Sequence, residues 1–71
     1  MKLYFENSRK ERRLIAEPRM EDDVTKIIND FCEERNFKVY YIRTWVDGEG
    51  LRVYDCGSWN EFFYLDMRDD N

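Results

Sequence analysis

The stretch Val24-Thr25-Lys26-Ile27-Ile28-Asn29-Asp30-Phe31 decides how this chain is built. Val24, Ile27, Ile28 and Phe31 fall at i, i+3, i+4 and i+7, the spacing of one apolar face on an α-helix. Glu21, Asp22 and Asp23 stand just ahead of it, and the helix macrodipole favours negative charge there. At the far end Arg35 supplies positive charge. Asn36 can adopt the left-handed conformation that closes a helix, and Phe37 can fold back over the final turn. The pattern predicts a helix over roughly residues 20–35 whose apolar face needs a sheet to cover it.

Upstream, residues 2–6 read as a strand with Leu3 and Phe5 on one face and Tyr4 on the other. Residues 11–17 read as a second strand, with Leu14 and Ala16 facing one way and Ile15 the other. Asn7 and Ser8 form the turn between them, so an antiparallel hairpin is expected. Arg12 and Arg13, near that turn, are expected to splay outward. Pro18 ends the second strand.

Downstream, Val39 to Val46 is Val-Tyr-Tyr-Ile-Arg-Thr-Trp-Val, almost wholly β-branched or aromatic. Both faces of it are apolar, which predicts a central strand. Asp47-Gly48-Glu49-Gly50 is a hairpin turn signal. Leu51 to Asp55 returns as the next strand. Gly57-Ser58-Trp59-Asn60 turns again, and Glu61 to Met67 reads as the last strand. Residues 68–71 are expected to fray. The order is β-β-α-β-β-β, an α+β domain spanning residues 1–71 with one amphipathic helix packed on an antiparallel sheet. One helix covers one sheet face and leaves the other without a layer.

Composition narrows the function. The chain has 71 residues, too few for more than one domain. Charged residues make up 39%, but two Trp, five Tyr and five Phe supply the buried area that a disordered chain lacks. No apolar run approaches the roughly 20 residues of a membrane span. No export signal is recognisable near Met1, so a cytoplasmic setting is expected, with no membrane partner. The chain has no histidine, which removes the usual general base and the commonest metal ligand. Cys32 and Cys56 alone cannot complete a structural zinc site, and no metal or cofactor is expected. They are expected to be reduced, half-buried thiols.

Catalytic readings are weak. Asp22 with Asp23, Glu33 with Glu34 and Asp69 with Asp70 are adjacent pairs, which do not share a helix face. Cys56 lies beside Asp55, which raises a thiol pKa rather than lowering it. Gly48 and Gly50 lack the G-K-[ST] ending of a phosphate loop. The expectation is a protein that is not an enzyme. The net charge of -4 makes the chain acidic overall. The basic cluster Arg9, Lys10, Arg12 and Arg13 is a possible phosphate contact, but no nucleic-acid-binding motif accompanies it, and nucleic acid is not the expected partner.

The aromatic residues carry the functional expectation. Trp45, Trp59, Tyr40, Tyr41, Tyr54 and Tyr64 exceed what one helix can cover. Tyr41, Arg43 and Trp45 alternate, so they share a sheet face. Tyr, Trp and Arg dominate interface hot spots. Tyr41, Arg43, Trp45 and Trp59 are therefore the candidate binding residues. Their partner is expected to be a host protein or a second copy in a homodimer. The alternatives are an oligomer that sequesters a small ligand or nucleotide, and a nucleic-acid-binding accessory factor.

The segment Tyr54-Asp55-Cys56-Gly57-Ser58-Trp59-Asn60-Glu61-Phe62-Phe63-Tyr64-Leu65 resembles the C-terminal hairpins of small phage and prophage accessory proteins. Small size, acidity and aromatic content also resemble phage inhibitors of host proteins, anti-CRISPR proteins among them. The resemblance implies an inhibitor that binds a host protein stoichiometrically in the host cytoplasm.

Overall fold

Asp23 starts the helix. Its carboxylate accepts hydrogen bonds from the N–H groups of Thr25 and Lys26 at 3.0 and 3.3 Å, satisfying donors that the first turn leaves open. The helix, α1, runs Val24–Glu34. It is shorter at its N-terminus than the expected 20–35, because Asp23 caps it and Asp22 instead accepts from the Arg19 N–H at 2.8 Å. At the far end Asn36 takes a φ of 58°. Asn36 N–H donates to the Glu33 carbonyl and Phe37 N–H to the Cys32 carbonyl, the two bonds of a Schellman closure. Phe37 folds back as expected and its ring lies 6.0 Å from that of Phe5.

This computed structural model describes residues 1–68, so the expected fraying of residues 68–71 lies outside it except at Arg68, whose guanidinium donates to Asp66 at 2.8 Å. The strands are β1 (Lys2–Glu6), β2 (Arg12–Ala16), β3 (Arg43–Val46), β4 (Arg52–Asp55) and β5 (Phe62–Asp66). They form one antiparallel sheet in the order β2-β1-β5-β4-β3. The α+β architecture and the β-β-α-β-β-β order are as the sequence indicates.

The core lies between α1 and one face of the sheet. Leu3 and Ile28 are fully buried, joined by Cys32, Tyr54, Cys56, Phe63 and Leu65. Val24, Ile27 and Phe31 pack against this cluster as their spacing requires. The Phe31 ring lies 5.0 Å from Phe5 and 5.6 Å, edge on, from Phe63. Cys32 and Cys56 are free thiols and more deeply buried than expected, both below 6% exposure.

Three expectations are corrected. The stretch Val39–Val46 is not a central strand. Only Arg43–Val46 joins the ladder, and it lies at the sheet edge. Val39 and Ile42 turn into the core while Tyr40 and Tyr41 remain exposed. The central place goes to β5, which pairs with β1 on one side and β4 on the other. Along β2, Leu14 and Ala16 do not share a face. A register shift between Leu3 and Tyr4 sets Ala16 opposite Leu3 and Leu14 opposite Tyr4. Ile15 and Ala16 both reach the core, leaving Leu14 exposed. Arg12 does not splay outward: its guanidinium lies 3.8 Å from the Tyr64 ring centre and 3.1 Å from Glu6.

Candidate functional site

The sheet face opposite α1 carries Tyr4 and Glu6 from β1, Phe62 and Tyr64 from β5, Val53 and Asp55 from β4, and Arg43 and Trp45 from β3. Register and the alternation of side chains put them there. Glu6 and Asp55 are buried on this face, at 5% and 6% exposure. Buried carboxylates need partners, and each has an arginine. Glu6 accepts from Arg12 Nε and from the Tyr64 hydroxyl, both at 3.1 Å. Burial, then the bond to Glu6, raises the Tyr64 phenol above its usual pKa.

Asp55 accepts from Arg43 at 2.8 Å and from the Gly57 N–H at 2.9 Å. Burial pushes the Asp55 carboxyl up, and the bonds to Arg43 and Gly57 outweigh it, leaving the group below the usual carboxylate range. The bond to Asp55 is also the largest reason that Arg43 is raised. The guanidinium carbon of Arg43 lies 5.5 Å from the Tyr41 ring centre and 5.9 Å from that of Trp45. Both are within cation–π reach. The structure thus brings Tyr41, Arg43 and Trp45 together around one cation, anchored from beneath by Asp55. Tyr41 is 49% exposed and Trp45 42%, so both rings also present area to solvent.

Trp59 lies in the β4–β5 connection and is 94% exposed. It does not join the Arg43 cluster. It shares with Tyr41 the lining of a cavity of about 810 Å³ between the end of α1 and the β4–β5 connection. Phe37 and Tyr40 line it too, with Cys32 and Cys56 also in its wall. Gly57, at φ 92°, lets Tyr40 pack closely on this connection: a Cβ there would come within 2.9 Å of the Tyr40 Cβ. Ser58 donates to Glu61 at 2.8 Å and steadies the connection. Tyr40 N–H donates to the Cys56 carbonyl at 3.2 Å and holds the segment before β3 against it.

Burial, before any other cause, pushes the Cys56 thiol up to about 12, so it holds its proton near neutral pH. Among the described residues no group of three or more Cys, Asp or Glu side chains is placed to hold a metal ion. No described helix is long and apolar enough to cross a membrane.

The sequence named Tyr41, Arg43, Trp45 and Trp59 as candidates, of which the first three are neighbours here, and did not name Asp55, which bonds Arg43, or Tyr40 and Phe37 as cavity walls. Asp55 had no local signal, since only the β3–β4 register sets it opposite Arg43. A scan against protein-family models matches no family, and searches of curated proteins and of solved structures return no match.

Proposed function

We propose that the protein is a non-enzymatic interaction module that holds a protein partner on Tyr41, Arg43, Trp45 and Trp59. The observation that carries this reading is the placement of Arg43, bonded to buried Asp55 while lying over both Tyr41 and Trp45. A cation and two rings held in place before binding lose little side-chain freedom on docking, and Tyr, Trp and Arg are the residues that dominate hot spots. The biological form of this binding is a phage-encoded inhibitor that occupies a host protein one to one in the host cytoplasm.

The test is a capture of host proteins on the immobilised chain, run with wild type, Arg43→Ala and Trp59→Ala. A single partner retained one to one by wild type and lost from both folded variants supports the reading. Equal retention by all three removes it. The cavity favours a second reading, a small apolar ligand held between Tyr40, Tyr41 and Trp59, because its volume matches that of ligand pockets. A ligand that co-purifies and quenches Trp59 fluorescence would place that reading first.

A further inference from the structure

The two edges of the sheet are built differently. β2 is guarded: Arg12 and Arg13 are exposed on it, a register shift interrupts its pairing, and Pro18 follows closely. Charge, irregularity and proline are the usual protections of an edge strand. β3 pairs with β4 in an unbroken register and is exposed along its whole length, with Trp45 and Val46 at 42% and 50% exposure. Its one charged side chain, Arg43, is already paired with Asp55 on its own sheet, and it has no proline and no bulge. Such an edge is a template for another strand.

The hydrogen-bond parity of β3 can be read from its turn. Asp47 N–H donates to the Leu51 carbonyl at 2.9 Å. Antiparallel pairs alternate, so Trp45 with Val53 and Arg43 with Asp55 are the bonded pairs of this ladder. The N–H and C=O groups of Thr44 and Val46 therefore point away from β4, along the free edge.

We propose that β3 pairs with β3 of a second copy, antiparallel and centred on Thr44, to give a continuous ten-stranded sheet. The inference goes beyond the reading above, since backbone groups rather than the aromatic face carry it. Thr44 then lies opposite Thr44, whose outward N–H and C=O groups bond across the axis, and the outward groups of Val46 face the segment just before β3 of the second copy. Arg43 lies opposite Trp45 of the second copy, and Tyr41 opposite Asp47, so each cation meets a ring and no like charges oppose. A register centred on Arg43 would instead set two guanidinium groups against each other. Antiparallel pairing about a two-fold axis keeps both α1 helices on one side of the sheet. It also joins the two Tyr41–Arg43–Trp45 clusters into one surface.

Sedimentation of the purified chain over a concentration series tests this, with Thr44→Pro and Thr44→Cys as variants. Wild type is expected to sediment as a dimer, and Thr44→Pro as a monomer with an unchanged helical signal, because its N–H faces away from β4. Thr44→Cys is expected to form an intermolecular disulfide with oxidised glutathione, each bond releasing two molecules of reduced glutathione. Trp45→Cys is expected not to. A wild type that stays monomeric at every concentration overturns the proposal. So does crosslinking through Trp45→Cys but not Thr44→Cys, which would place the axis elsewhere. Loss of host-protein capture with the dimer intact would overturn only the functional reading above.

Discussion

Asn7 and Asp47 close their two hairpins with the same set of bonds. The Asn7 side-chain oxygen accepts from Arg9 and Glu11 N–H at 2.9 and 3.0 Å, and that of Asp47 from Glu49 and Leu51 N–H at the same distances. Asn7 N–H donates to the Glu11 carbonyl as Asp47 N–H does to that of Leu51. Three residues after each, the chain turns left-handed. That residue is Gly50 at φ 82° in one hairpin and Lys10 at φ 66° in the other.

A side chain at positive φ costs roughly 1–2 kcal/mol, of which glycine's extra freedom in the unfolded chain takes back a part. Lys10→Gly is therefore expected to stabilise the protein by about 0.5–1 kcal/mol. Gly50→Ala is expected to destabilise it by about 1 kcal/mol. Urea melts of the two variants check both signs. A Lys10→Gly variant less stable than wild type would show that Lys10 makes contacts worth more than its strain.

Asp55→Ala removes the acceptor for both Arg43 and the Gly57 N–H. The expected loss is about 1–3 kcal/mol, the range for a buried, charge-assisted bond. The sign of the pH dependence follows from the lowered carboxyl. Its contribution is complete above the ordinary value of 3.8 and is lost as pH falls through the lower folded value. Thermal melts between pH 5 and 2 should fall more steeply for wild type than for Asp55→Asn. Equal slopes would mean that the bond to Arg43 does not persist in solution.

Cys56 is held neutral by burial up to about 12. Because the folded value is raised, its contribution to stability is complete below the ordinary thiol value of 9.0 and is lost as pH rises from there through the folded value. At pH 8 the native protein should react with iodoacetamide at least tenfold more slowly than the urea-unfolded chain. Mass spectrometry after timed quenching reads this directly. Native labelling at the unfolded rate would place Cys56 at the surface.

Gly57→Ala combines positive φ with a Cβ 2.9 Å from the Tyr40 Cβ. Strain and overpacking together are expected to cost about 2–4 kcal/mol. The change should also displace Tyr40 and Tyr41, altering the environment of Arg43. Near-ultraviolet circular dichroism should lose aromatic signal in a variant that keeps its helix. An unchanged aromatic spectrum would show that this approach of Gly57 to Tyr40 is not needed.

Local chemistry made much of this protein legible from its sequence. The spacing of Val24, Ile27, Ile28 and Phe31 specified the helix, since 3.6-residue periodicity depends only on neighbours along the chain. Asn36 and Phe37 closed it through their own backbone preferences. Asp47 to Gly50 declared a hairpin, and the alternation of Arg43 and Trp45 put them on one face. Strand order was another matter. Val39–Val46 is rich enough in β-formers to sit at the centre of a sheet, yet β5 and β4 occupy the interior and β3 the edge. Composition measures how readily a segment extends, not which distant strand it meets. Only the tertiary structure placed Asp55 under Arg43, Glu6 beside Tyr64 and Gly57 against Tyr40, because each contact depends on register between segments brought together by folding.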